Sequence, residues 1–183
     1  MPFEFEKTNI PGMILVKPKI FIDDRGFFLE SYEKKAFKKA GIGREFVQEN
    51  HSKSEKGVIR GIHFQKGKYA QAKLVRCVKG KLLDIAVDLR KNSSTFGKSY
   101  ATILSNENKR LLYIPRGFGH AFATLEDNTE MIYKVDNFYS PENEGGIIWN
   151  DSYLNIKWPF NNPILSERDK KWGSLEDFLG FSK

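Results

Sequence analysis

The chain has 183 residues, with 30 Lys plus Arg against 23 Asp plus Glu and a formal net charge of +7. At 40% hydrophobic and 14% aromatic residues it is too apolar for a disordered chain. Its single cysteine, Cys77, excludes an intrachain disulfide and a multi-cysteine zinc site. The positive balance leaves nucleic acid, an anionic membrane surface or a small phosphorylated ligand as partner classes. The lysines are scattered, as at Lys34, Lys35, Lys38 and Lys39, then Lys66 and Lys68, then Lys170 and Lys171, and form no basic block. That disfavours nucleic acid.

In chain order, Met1 to Lys7 carries Glu4 and Glu6 and has no apolar core, so it does not read as a signal peptide. No run approaches the roughly 20 apolar residues of a membrane span, and a reducing, cytoplasmic setting is expected. Period-two alternation predicts strands over Met13–Lys17, Lys19–Ile22 and Phe27–Tyr32. A helix is expected over Glu33–Ala40, closed by Gly41 as a left-handed cap. Strands follow at Val58–Phe64, Lys73–Lys79 and Leu82–Leu89, with Val78 to Lys81 read as a hairpin turn. Further strands are expected at Tyr100–Leu104, Leu111–Ile114, His120–Leu125 and Met131–Phe138. A last helix starts at Ser166 or Ser174, with Asp169 or Asp177 three residues on. Many short strands with little helix predict an all-β jelly-roll barrel. One domain is expected over 1–183, with an N-terminal arm at about 1–50, a barrel core at about 51–150 and a helical tail at about 151–183.

Two phosphate-binding motifs fail on spacing. Gly97-Lys98-Ser99 copies the end of a P-loop, but Asn92 stands where the first glycine is needed. Gly41-Ile42-Gly43 opens like a dinucleotide fingerprint, but Phe46 takes the third glycine position. Both read as turns. Cys77 lies in an alternating apolar stretch and reads as a buried inert thiol.

The three histidines are His51, His63 and His120. Gly57 six residues before His63, and Pro115-x-Gly117-x-x-His120, together resemble the two halves of the cupin pattern, which belongs to a small jelly-roll barrel. Gln65 stands where metal-binding cupins carry a second histidine, and no glutamate follows before Lys73. Two histidines and an amide make a poor divalent site, so no metal is expected. Alternation puts Lys73 on one face with Val75 and Cys77, and Tyr133 on one face with Met131 and Val135. A lysine and a phenol inside a small barrel need partners or a task. Strict pleating sets Arg60 and His63 on opposite faces. Both can face one ligand only if the strand bulges at Gly61.

A longer set of motifs runs in order: Phe21 to Glu30, Gln48 to Ser52, Gly57 to Gln65, Gln71 to Arg76, Asp88 to Arg90, Ile114 to Phe122, Tyr133-Lys134, Tyr139 to Glu144, Trp149 to Asp151 and Leu165 to Asp169. Over almost the full chain it resembles the dTDP-4-dehydrorhamnose 3,5-epimerase family. The resemblance implies an isomerase without cofactor or metal. Its substrate would be a nucleotide-linked 4-keto-6-deoxyhexose, epimerised at C3 and C5 on the way to dTDP-L-rhamnose. By family position His63 is the base, oriented by Asp169, Lys73 stabilises the enolate oxygen, and Tyr133 is the acid. Arg25, Arg60 and Arg168 match positions near the diphosphate. Glu30, Gln48, Asn50 and Glu144 match binding positions, Phe28 offers a stacking face, Tyr139 belongs to the binding set, and His120 lines the sugar pocket. The segment with Arg25 and Glu30 reaches the neighbouring subunit in the family, which implies a homodimer. Phe64, Gly119, Ala121 and Phe138 depart mildly from the family pattern. They leave open a C3-only epimerase on a related sugar, or a non-catalytic nucleotide-sugar-binding cupin.

Overall fold

The computed structural model describes residues 2–180. The strands are β1 (Phe3–Lys7), β2 (Ile14–Pro18), β3 (Phe21–Asp23), β4 (Gly26–Phe28), β5 (Gln48–Ser54), β6 (Ile59–Gln65) and β7 (Lys73–Lys79). They continue as β8 (Lys81–Asp88), β9 (Ser99–Ser105), β10 (Leu111–Ile114), β11 (Phe118–Thr124), β12 (Thr129–Val135) and β13 (Glu144–Gly146). Helix α1 (Lys34–Lys39) lies between β4 and β5, and α2 (Leu175–Leu179) follows a 3-10 turn at Asp169–Lys171. Six strands form one sheet in the order β1-β2-β10-β7-β12-β5, and five form another in the order β13-β6-β11-β8-β9. Every ladder is antiparallel. The two sheets face each other as a cupin-like jelly roll, as the strand pattern leads one to expect.

Alternation along the strands splits the side chains among three cores. Val75, Cys77, Leu82, Ala86, Leu112, Phe122 and Met131 fill the space between the sheets. Leu74, Val16 and Leu111 point out of the six-stranded sheet and are covered by Phe37 of α1 and by Phe3. Ile62, Phe64, Ile85, Val87 and Ala121 point out of the five-stranded sheet and are covered by Ile147, Leu154 and Leu175 of the C-terminal segment. Both faces of the central strands are therefore dry, and β11 is buried at all seven positions.

Helix α1 forms around Phe37, whose ring meets Phe3, Phe5 and Tyr32 at 5.1, 5.2 and 4.9 Å. Glu33 caps it by accepting from the Lys35 and Ala36 amides, and Gly41 leaves at φ +92°. Of the two expected starts for the last helix, Ser174 caps α2 in a capping box with Asp177. Ser166 instead accepts from the Asp169 amide at 3.1 Å and starts the 3-10 turn.

Three expectations need correction. The turn at Gly80 is not a hairpin: β7 and β8 lie in different sheets, so the chain crosses the barrel there. Gly80 has φ +72°, and a Cβ on it would approach Thr129 Cα to 3.1 Å. Second, β1 and β2 fall inside the segment read as an arm, yet both are strands of the six-stranded sheet. Third, β5 has the sequence QENHSKS and was not expected to be a strand.

Candidate active site

The cavity between the sheets holds about 300 Å³ and opens at one end of the barrel. The β6 strand brings His63 to it, β7 brings Lys73, β12 brings Tyr133, and β5 brings Gln48 and Asn50. Tyr139, Glu144 and Arg168 close its rim. Eight of the expected site residues thus line one space, together with Phe64, Gln65 and Gln71.

His63 Nε2 lies 2.6 Å from Asp169 Oδ1, and Asp169 is only 1% exposed. Burial alone would raise the Asp169 carboxyl. The hydrogen bond from His63, the His63 charge, the Gly61 N–H and Arg168 outweigh it and hold the group below the usual carboxylate range. A carboxylate on Nε2 leaves Nδ1 as the nitrogen open to a ligand.

The strand bulges at Gly61, the condition under which Arg60 and His63 share a face. His120 pairs with His63 and Phe122 pairs with Arg60, so two steps on β11 match three on β6. His120 and Phe122 share a face, and their partners Arg60 and His63 therefore share it too. Gly61 sits at φ +127°, where a Cβ would come within 2.6 Å of Ala121 Cα and 2.7 Å of the His120 carbonyl. Arg60 does not line the cavity. Its guanidinium crosses to β5 and donates to Ser54 Oγ at 3.0 Å and the Lys53 carbonyl at 3.1 Å.

Lys73 is the isolated charge of the site. No described residue offers it an ion pair or hydrogen bond, and its nearest marked contact is the Tyr133 ring, 5.8 Å from Nζ. Burial pushes its ammonium down to about 8, against the pull of Asp84 and Glu144. Burial also raises the Tyr133 phenol, so it carries its proton at neutral pH, while Asn50, Arg60 and Arg168 act the other way.

His120 sits behind the cavity wall rather than on it. Its Nε2 is 2.9 Å from Asp84 Oδ2, and both side chains are almost wholly buried. Burial lowers the His120 imidazole more than Asp84 raises it. Asp84 is the buried charge that sequence reasoning missed. It occupies an inward position of β8 between Leu82 and Ala86, a lone carboxylate on an apolar face, and that was the available signal.

Three expected binding residues lie elsewhere in this chain. Arg25 and Phe28 sit on the β3–β4 hairpin, with Glu30 just past it. Arg25 pairs with Asp23 of the same hairpin at 2.6 Å. Phe28 is 64% exposed and borders a separate groove with Arg76 and Lys109. At the rim, Arg168 Nη1 donates to both Glu144 oxygens at 3.0 and 2.9 Å, and Tyr139 Oη donates to Glu144 Oε2 at 3.1 Å. Among the described residues no cluster of three or more His, Cys, Asp or Glu could hold a metal ion.

The model of the dTDP-4-dehydrorhamnose 3,5-epimerase family matches residues 7–177. The chain belongs to that family. It is 56% identical over 165 residues to the dTDP-4-dehydrorhamnose 3,5-epimerase of Shigella flexneri, covering 89% of this chain and 91% of the relative. The fold superposes on the Bacillus anthracis dTDP-4-dehydrorhamnose 3,5-epimerase crystallised with TDP and PPi, with a TM-score of 0.93, 46% identity and coverage of 94% and 99%. It also superposes on the Legionella pneumophila epimerase in complex with dTDP-4-keto-L-rhamnose, with a TM-score of 0.92, 41% identity and coverage of 95% and 93%. This epimerase-family chain carries the site on strands of both sheets, plus one turn of its C-terminal segment. No helix among its described residues is long and apolar enough to cross a membrane.

Proposed function

We propose that the protein epimerises C3 and C5 of dTDP-4-dehydro-6-deoxy-D-glucose to give dTDP-4-dehydro-L-rhamnose, in the cytoplasm and as a homodimer. The observation that carries the reading is the pairing of His63, on the five-stranded sheet, with Asp169 of the C-terminal turn, facing Tyr133 and an unpaired Lys73 on the six-stranded sheet. Inversion at carbon requires that a proton leave one face of the ring and another arrive at the opposite face. A base on one sheet and an acid on the other supply that arrangement.

The protons at C3 and C5 flank the C4 carbonyl, so loss of either gives an enolate. His63 Nδ1 takes the proton while Asp169 steadies the imidazolium through Nε2. Lys73 stabilises the negative charge that develops on O4, and a fixed charge aimed at that oxygen is effective once the ligand fills the cavity and displaces its water. Tyr133 gives its hydroxyl proton to the carbon from the other face and regains one from solvent, to which His63 releases the proton it took. The cycle consumes no cofactor. Arg168, which lines the cavity, and Arg60, which would first release Ser54 and the Lys53 carbonyl, bind the diphosphate, for which guanidinium forks are suited. Gln48, Asn50 and Glu144 bind the ligand, with Tyr139 beside the nucleotide base and His120 behind the sugar.

Arg25, Phe28 and Glu30 serve the cavity of a second copy. The hairpin that carries them exposes Phe21 at 47%, Ile22 at 81% and Phe27 at 58%, an apolar surface that meets only the ammonium groups of Lys19 and Lys109 among the described contacts. A dimer that covers this hairpin also brings Arg25 and Phe28 to the partner's nucleotide.

The test is solvent exchange. Chelator-treated protein is incubated in D₂O with dTDP-4-keto-6-deoxyglucose and no added metal or cofactor. Deuterium is expected at C3 and C5. Absence of exchange at both carbons overturns the reading, and exchange at C3 alone reassigns the protein as a 3-epimerase.

A further inference from the structure

Trp172 follows the turn that carries Asp169, and its indole lies on the cavity-facing side of the five-stranded sheet. The register explains why. Gly146 of β13 pairs with His63 of β6, and His63 pairs with His120 of β11. Positions 146, 63 and 120 therefore stand side by side on one face. Gly146 has no side chain, and a Cβ added there would come within 2.5 Å of Trp172 Nε1. The indole occupies the space that a side chain at 146 would take. The neighbouring backbone holds it there, with the Ile148 amide donating to the Gly173 carbonyl at 2.8 Å.

From that seat the indole meets the His63 ring edge to face, with centroids 6.3 Å apart and planes at 65°. Its Nε1 is buried and has no hydrogen-bond partner among the described residues. An unpaired buried donor is unfavourable, so the placement calls for a reason other than polar pairing. The His63 ring supplies one. Asp169 grips the imidazole at a single nitrogen, and one hydrogen bond leaves the ring free to swing about it. A flat wall on one side and His120 on the other remove that freedom.

We propose that Trp172 is a positioning residue for the His63 base: seated on Gly146, its indole fixes the plane of the imidazole for proton abstraction. This rests on the reading of His63 as the base. The effect falls on the chemical step rather than on binding, because Trp172 does not line the cavity.

The experiment compares Trp172→Ala, Trp172→Phe and Gly146→Ala in the full chain, with kcat, KM and the substrate deuterium isotope effect at C5. Trp172→Ala is expected to lower kcat about 10- to 100-fold, the scale of a slightly misplaced catalytic group. KM stays within about threefold, since substrate contacts are intact, and the isotope effect rises as proton abstraction becomes slower. Trp172→Phe, which keeps an aromatic wall without the N–H, restores kcat to within about threefold. Gly146→Ala keeps the tryptophan but displaces it, so it lowers kcat in the same way, and the double variant is no worse than either single one. A parental kcat and isotope effect in Trp172→Ala overturns the inference. If that variant does not fold, the same result in Gly146→Ala overturns it. His63→Ala separates the two readings. Exchange that persists in His63→Ala removes the base and this inference together, whereas loss there beside an unaffected Trp172→Ala removes this inference alone.

Discussion

Asp169 Oδ1 lies 2.6 Å from His63 Nε2 although 106 residues separate the two in the chain. The contact fixes one tautomer of the imidazole and steadies its charged form. Asp169→Asn keeps the size but loses the charge. It is expected to lower kcat by roughly 10²-fold or more, within the range attributed to general-base catalysis, with little change in KM. Steady-state kinetics checks this, and a parental kcat would show that the pair is structural. The same carboxylate contributes to stability. Its folded pKa is depressed, so that contribution is present above the unfolded value and is lost as pH falls through the folded one. The difference in melting temperature between the parent and Asp169→Asn should therefore shrink on acidification below about pH 4.

Tyr133→Phe separates proton loss from inversion. His63 remains able to take the proton and return one to the same face. Deuterium should still enter C5 while the epimerised product falls by about 10²-fold or more. NMR of the sugar recovered from D₂O reads both quantities at once. Product formation at the parental rate would remove Tyr133 from the role of acid.

Lys73 sets an alkaline limit. Its ammonium, pushed down to about 8 by burial, is present below that pH and lost above it. The rate at saturating substrate should fall as pH rises through about 8, and a profile flat to pH 9.5 would argue against a charged Lys73 in the reaction. Stability runs the other way. The unfolded chain keeps this proton to about 10.4, so between about pH 8 and pH 10 the unfolded state binds more protons and Lys73's contribution to stability rises with pH. Lys73→Met removes a half-buried unpaired charge. It should abolish activity and raise the melting temperature at pH 7 by at least the ~2–4 °C that 1 kcal/mol is worth at this size. Calorimetry checks the sign.

The β3–β4 hairpin links assembly to binding. Ile22→Asp with Phe27→Asp puts charge on its exposed apolar face and touches no residue of the cavity. Sedimentation should show the mass falling from two chains to one, with a rise in KM as the cavity loses the partner's Arg25 and Phe28. An unchanged mass would place the dimer contact elsewhere.

Gly61→Ala tests the bulge. A Cβ at φ +127° would press on Ala121 and the His120 carbonyl with no flexible side chain to give way. The expected loss is about 2–3 kcal/mol or more from strain and overpacking, read as a lower urea midpoint. A parental midpoint would show that β6 accommodates the methyl group.

The barrel was legible because most strands alternate against a dry interior. Ten expected strands coincide with observed ones to within a few residues. The strand β5 escaped for a physical reason. Its inward residues Gln48 and Asn50 face a polar cavity and Ser52 lies beside Met131, while its outward residues Glu49, His51 and Lys53 are exposed, so neither face carries an apolar signal. The turn at Gly80 was legible as a turn, but which sheet receives the next strand depends on contacts far along the chain. Lys73 and Tyr133 showed themselves as polar residues on apolar faces. Asp84 carried the same signal and was passed over. Trp172 gave no local sign of its task, because its place is set by the missing side chain of Gly146 on another strand.

The order of the chain has a further consequence for when catalytic competence arises. All thirteen strands end by Gly146, while Asp169 is translated later. A nascent chain therefore contains the strands that carry His63, Lys73 and Tyr133 before its dyad carboxylate has been made. The dyad is completed only when the later segment that carries Asp169 docks against the imidazole.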